Sequence, residues 1–341
     1  MRINTHMIIL ARETRGMNQN ELAGEINMSA TNLSKIERGD IGISEDVLDS
    51  IAQATSFPVH FFYQDGTIVP ENLVYRKRQK VAQKVLMPIH GQTNIIRRHV
   101  QFLTRALNIP VPSIPALPVS DTQTPQRIAQ KMRQRWNVES PVLDHMTKLL
   151  ESQGIVVSSV PFGTERVDSR SIITDDQYPV MIMNRNLLGD KLRFSLAYEL
   201  GHLVMHTFTH IPFDHDITSE ANAFAAEFLM PAREIKKDFD AGITIPLLAA
   251  LKKKWKVSMI ALLHRADDMG YLTPNQKRYL LQQFNQLNIR RREPVELDVP
   301  LEQPKLMQRW IAQYRLKTKV STMEMAALLC LNTDEFLELY S

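Results

Sequence analysis

Glu199 and His202 stand three residues apart in FSLAYELGHLVMH, residues 194–206. On a helix they project from nearly one face. Zinc-dependent hydrolysis uses a related spacing, in which two histidines four residues apart meet one ion. A glutamate directly after the first histidine then acts as general base on the metal-bound water. Here Glu199 holds the base position and His202 the second-ligand position, while Tyr198 stands where the first histidine belongs. A third, carboxylate ligand must come from a later element. In SEANAFAAEFLMP, residues 219–231, Glu220 and Glu227 lie seven residues apart, with Phe224 and Phe228 beside them, and Glu220 is the expected ligand.

The departure at Tyr198 falls on the position that chemistry can least spare. A phenol, with a pKa of about 10, binds zinc only if the metal itself removes its proton. Losing one of three protein ligands weakens the ion severely, since even changes behind the ligands cost roughly 10- to 100-fold. His206 follows His202 by four residues and restores a histidine pair one turn on, with His210 and His215 beyond it. In that register, however, residue 203 is leucine and not a glutamate base. Packing is the expected role of His206. The single cysteine, Cys330, rules out a cysteine-based zinc site and an internal disulfide.

A second constellation lies in MNQNELAGEINMSATNLSKIERG, residues 17–39. Two short helices are expected there, separated by a turn at 26–28, the arrangement that lets the second helix enter a DNA major groove. Asn18 with Glu21 is a capping-box start, Ser29 and Ser44 can cap the helices that follow, and Gly39 suits a left-handed stop. Leu22, Ala23, Ile26, Leu33 and Ile36 form the expected core, small Ala23 permitting close approach. Ala30, Thr31, Asn32, Ser34 and Lys35 then occupy the exposed start of the second helix, placed to reach base edges and phosphates. Gln19 is placed to donate to a phosphate.

The elements that must position these residues follow from periodicity and punctuation. With 341 residues the chain holds two or three domains. Residues 1–65 read as a helical domain. Residues 66–120 read as a basic helical and Pro-rich linker ending in PVPSIPALPVSD. Residues 121–300 begin with helices in TPQRIAQKMRQRWNV and PVLDHMTKLLESQG, continue with strands in GIVVSSVPF and YPVMIMN, and then carry the two helices of the candidate metal site. Residues 301–341 are a helical segment. The fold class expected is mainly α with a small β-sheet (α+β). Net charge is only +4, but basic residues cluster at 75–84, 95–99, 251–256 and 289–293, each a candidate phosphate contact or a solvated helix face. The lone His90, His99 and His264 read as surface or core residues. Neither a signal peptide nor a membrane span is supported, and a cytoplasmic protein is expected.

Two resemblances give these motifs context. Residues 9–62 resemble the Xre/Cro/C1 repressor family through Arg12, the set Gln19, Leu22 and Ala23, and the set Ile36, Glu37, Arg38 and Gly39. The resemblance implies a five-helix helix-turn-helix domain that binds double-stranded DNA. A homodimer is expected, because one recognition helix contacts too few bases. From about Arg127 to Pro304 the chain is similar to the ImmA/IrrE metallopeptidases, through LLESQGIVV, YPVMIMN, RFSLA, ELGHLVMH, EANAFAAEFLMP and WKVSMIALLHRA in the family's order. That implies a gluzincin-like zinc domain with a helical C-terminal extension. The leading expectation is a DNA-binding transcriptional regulator of phage, mobile-element, toxin–antitoxin or stress-response genes. Its metallopeptidase-like domain has a degenerate zinc site and impaired hydrolysis, and serves as sensor or interaction module, with a repressor or toxin protein as a further partner. The alternative is an active zinc endopeptidase that cleaves a partner repressor. The retained Glu199, His202 and Glu220 fit a domain with a new role as well as a recent substitution at residue 198.

Overall fold

The computed structural model describes residues 2–68, the backbone of 75–77, and residues 81–208 and 216–341. His210 and His215 lie outside the described residues, as does part of the basic stretch at 75–84. The N-terminal helices are α1 (Thr5–Thr14), α2 (Gln19–Glu25), α3 (Ala30–Arg38) and α4 (Glu45–Thr55), and the fifth is a 3-10 helix, Val59–Tyr63. The expected capping box is present, with Asn18 and Glu21 exchanging hydrogen bonds. Ser29 caps α3, and Gly39 ends it at φ +76°. Ser44 precedes α4 with extended backbone but makes no side-chain cap.

The stretch expected as a linker carries β1 (Tyr75–Lys77) and a 25-residue helix, α5 (Gln83–Leu107), buried along most of its length. Gly91 is what brings α5 onto α1, because a Cβ there would stand 2.6 Å from the backbone of Thr14. The basic run at 95–99 is turned inward. Arg97 is 1% exposed and donates to Asp175 and the Thr67 carbonyl.

After α6 (Pro125–Arg135) and α7 (Met146–Ser152) come β2 (Val156–Val160), β3 (Val167–Ile173) and β4 (Pro179–Asn184). The sheet order is β1-β3-β4-β2, with β2 parallel to β4 and the other pairs antiparallel. Strand alternation divides two cores. Val156, Val180 and Ile182 join α5 and the N-terminal helices, whereas Val157, Met181 and Met183 join the helices of the opposite face. Those helices are α8 (Gly189–Met205), α9 (Ile217–Leu229), α10 (Ala232–Phe239), α11 (Ile245–Trp255), α12 (Met259–Asp268) and α13 (Pro274–Gln286). The chain closes with α14 (Leu306–Thr318), α15 (Thr322–Leu328) and α16 (Thr333–Tyr340). The architecture is mainly helical with a small sheet, as expected.

Buried charges tie the layers together where a lone charge would be costly. Glu302 accepts from Arg193 and from the backbone N–H groups of Met146 and Thr147, joining the start of the C-terminal segment to α7 and α8. Lys252 donates to Asp190 and Glu293, each at 2.6 Å. Of the basic cluster at 251–256, Lys252 is thus committed internally, whereas Lys253 and Lys254 are exposed. Among the described residues no helix is long and apolar enough to cross a membrane.

Candidate functional site

Helix α8 is buried from end to end, and its face toward β3 and α9 carries the residues of interest. Gly201 permits the crossing with α9, a Cβ there falling about 3.1 Å from the Phe224 ring. Glu199 is 1% exposed, and Ser169 of β3 donates to its Oε1 at 2.6 Å. The strand register explains why. Ser169 sits opposite Met183, on the α8 side of the sheet, and Arg170 sits opposite Ile182, on the α5 side. There Arg170 donates to Nδ1 of His90 at 2.9 Å, and burial, with the Arg170 charge adding to it, holds the His90 imidazole down at about 4.

The expected metal residues are brought together, with His206 among them. His202 Nδ1 lies 2.8 Å from His206 Nδ1, and His206 Nε2 lies 2.8 Å from Glu220 Oε2. A carboxylate accepts, so His206 Nε2 carries a proton; a neutral His206 then accepts at Nδ1 from the Nδ1–H of His202. His206 therefore positions both remaining candidate ligands. The 2.8 Å separation of His202 and His206 is a hydrogen-bond distance, shorter than the roughly 3.3 Å between two donors on a tetrahedral zinc at about 2.0–2.1 Å. Tyr198 is 2% exposed and packs edge-on against His202, the ring centroids 4.6 Å apart. Glu227, seven residues after Glu220, is committed elsewhere, accepting from Gln130 and pairing with buried Arg265.

Zinc is the ion such a helix pair implies, and its fit can be judged from the donors. His202 and Glu220 supply two, and the phenol of Tyr198 is a poor third. Among the described residues no three His, Cys, Asp or Glu side chains are arranged to hold a metal ion. Among the described residues, the donors present do not fit a three-ligand zinc centre.

In the N-terminal domain Arg12 and Glu37 form a buried pair at 2.7 Å, and Gln19 donates to the same carboxylate at 2.7 Å. The amide expected to meet a phosphate thus also braces α2 against α3. Thr31, Asn32 and Lys35 are exposed, and Ala30 and Ser34 are half-buried. Helix α3 packs chiefly on α1 and α2. The sequence did not single out Ser169 and Arg170, because a strand rich in Asp, Ser and Arg lacks the apolar signature of a buried one. Nor did it single out Glu302 as an internal anchor.

Two family descriptions match the chain. A helix-turn-helix family covers residues 8–62, and an IrrE N-terminal-like domain of the M78 peptidases covers residues 150–267. Among solved structures, the chain is similar to Bacillus thuringiensis PlcR, crystallised with the peptide PapR7 and DNA. The identity is 12%, over 98% of this chain and 94% of that one, with a TM-score of 0.19. No curated protein matches. The chain therefore joins a DNA-binding helix-turn-helix domain to an IrrE N-terminal-like domain.

Proposed function

We propose that this protein is a cytoplasmic, sequence-specific transcriptional regulator whose IrrE-like domain works by binding and not by hydrolysis. The observation that carries the reading is the start of α3, where Thr31, Asn32 and Lys35 stand exposed at the position from which a recognition helix reaches a major groove. The donor set of α8 and α9 supports the second half, with Tyr198 in place of a histidine and Glu199 tied to Ser169. One recognition helix reads too few bases for useful specificity, so two copies bind two half-sites. The IrrE-like domain then senses a ligand or protein partner, a repressor or a toxin among the candidates.

Selection from a random duplex pool, followed by titration of the enriched sequence, tests the reading. Lys35→Ala should weaken binding on matched and mismatched sequences alike and lower the salt slope by about one. Asn32→Ala should relax preference at one base position. Failure to enrich any sequence would count against it. The competing reading, a zinc endopeptidase that cleaves a repressor, requires a third ligand where Tyr198 stands, and near-stoichiometric zinc in the natural protein would favour it.

A further inference from the structure

The C-terminal segment repeats the geometry of the N-terminal reader. Each residue of the first stands 303 positions before its counterpart, as Asn18 before Ser321, and α2 (Gln19–Glu25) and α15 (Thr322–Leu328) begin and end at equivalent positions. Both open with a capping box, Asn18 with Glu21 and Ser321 with Glu324. Both close with the same backbone pattern: Met28 N–H donates to the Ala23 carbonyl at 2.8 Å, and Leu331 N–H to the Ala326 carbonyl at 2.9 Å. The residue between the helices is left-handed in each, Asn27 at φ +52° and Cys330 at φ +55°. The preceding helices agree as well. Gly16 and Lys319 share a positive φ, and the arginines at equivalent positions reach the equivalent carbonyls, Arg12 to Met17 and Arg315 to Val320. Leu22, Ala23 and Leu33 are buried, and so are Met325, Ala326 and Phe336.

What differs is charge. At the positions of Thr31, Asn32 and Lys35 stand Asp334, Glu335 and Glu338, and residues 320–341 contain four acidic side chains and no lysine or arginine. Duplex DNA presents a negative charge every ~1.7 Å, so this face repels it. The segment meets protein instead. Glu335 takes both terminal nitrogens of Arg15, at 2.8 and 3.1 Å, where Arg15 also donates to the Thr55 carbonyl and lies over the Phe57 ring. Asn332, the counterpart of the Ser29 cap, turns its amide to the Ser56 carbonyl at 2.8 Å. His60 donates to the Ala327 carbonyl at 2.8 Å. On its other sides α16 meets Arg185, after β4, through Glu338, and His99 of α5 through the Tyr340 hydroxyl.

We infer that residues 305–341 are a second helix-turn-helix module, converted by charge from a DNA-facing to a protein-facing role. Its partner is the DNA-reading domain of the same chain, which it holds in a fixed orientation against the IrrE-like domain. A change in the IrrE-like domain can then reach the reader through α16.

The test is hydrogen–deuterium exchange on the full chain, which does not depend on DNA binding. Its failure is therefore distinguishable from failure of the DNA reading. Glu335→Arg should speed exchange about tenfold in residues 51–57 and 332–341, and the swap Arg15→Glu with Glu335→Arg should reverse most of that rise. Should the reversal not fold, Glu335→Gln decides, with a rise of roughly two- to five-fold expected from an ion pair whose side chains are 26% and 25% exposed. Sheared duplex DNA should leave the exchange of 332–341 as it was. Unchanged exchange in the charge variant, a swap that restores nothing, or protection of 332–341 by DNA would overturn the inference.

Discussion

Replacing Tyr198 by histidine should convert this domain into a zinc binder, and the size of the gain can be worked out. Structural zinc sites bind with about 10–16 kcal/mol, so one ligand of four accounts for roughly 2.5–4 kcal/mol, or about 10²- to 10³-fold in affinity. The natural protein, with two good donors, should bind weakly. Tyr198→His places a second imidazole one turn before His202, on a helix already buried there. Glu220 and the Nε2 side of His202 then complete the set. The structure adds a second figure. His206 holds both His202 and Glu220 at 2.8 Å, so Tyr198→His with His206→Ala should bind about 10- to 100-fold more weakly than Tyr198→His alone. The assay is metal content by elemental analysis on untagged protein, followed by competition with a chromophoric chelator. Stoichiometric zinc in the natural protein would refute the donor count. Equal affinity in the two variants would refute the role given to His206.

Glu37→Ala strands the Arg12 guanidinium, whose pair is 8% and 3% exposed, and should cost the N-terminal helices roughly 3–5 kcal/mol. Asp40→Ala removes a partner of Arg38 in a pair 63% and 53% exposed and should cost under about 1 kcal/mol. Native-state hydrogen exchange across residues 5–55 separates the two, and equal effects would show that burial is not what matters. The pH dependence has a definite sign. Burial holds His99 at about 3, its Nε2–H donated to the Leu329 carbonyl, while the unfolded imidazole titrates near 6.5. Its folded pKa is depressed, so the contribution is complete above pH 6.5 and falls by roughly 1.4 kcal/mol per pH unit as pH drops below that toward 3. His99→Asn should flatten urea midpoints measured between pH 7 and 4.5, and an unaltered slope would sink the assignment.

Local rules made much of this protein legible before any coordinates. The Asn18–Glu21 box, the Ser29 cap and the Gly39 stop depend on neighbours within a few residues, and all three formed as read. The helices carrying Glu199 and Glu220 were visible for the same reason. Missed features were those whose partners lie far along the chain. Strand β3 is not assigned from the sequence because its Ser169 and Arg170 are satisfied by Glu199 and His90, 30 and 80 residues away. Helix α5 reads from the sequence as helix within a basic linker, and its burial is not legible there because nothing local says that Arg97 will find Asp175. The C-terminal repeat shares few residue types with its counterpart beyond Arg12 and Arg315, Glu21 and Glu324, and Ala23 and Ala326. Cores accept many apolar combinations, and the cap and left-handed turn carry the likeness.

By itself the sequence determined the two motif-bearing parts, the residues proposed to meet DNA, and the tyrosine where a zinc helix carries a histidine, since each is a matter of side-chain chemistry and helical spacing. Tertiary structure decided which charges are spent internally, that His206 bridges His202 and Glu220, and that α16 ties the DNA reader to the rest. Those outcomes depend on which distant groups burial forces together, and burying a polar group is costly unless a partner is waiting.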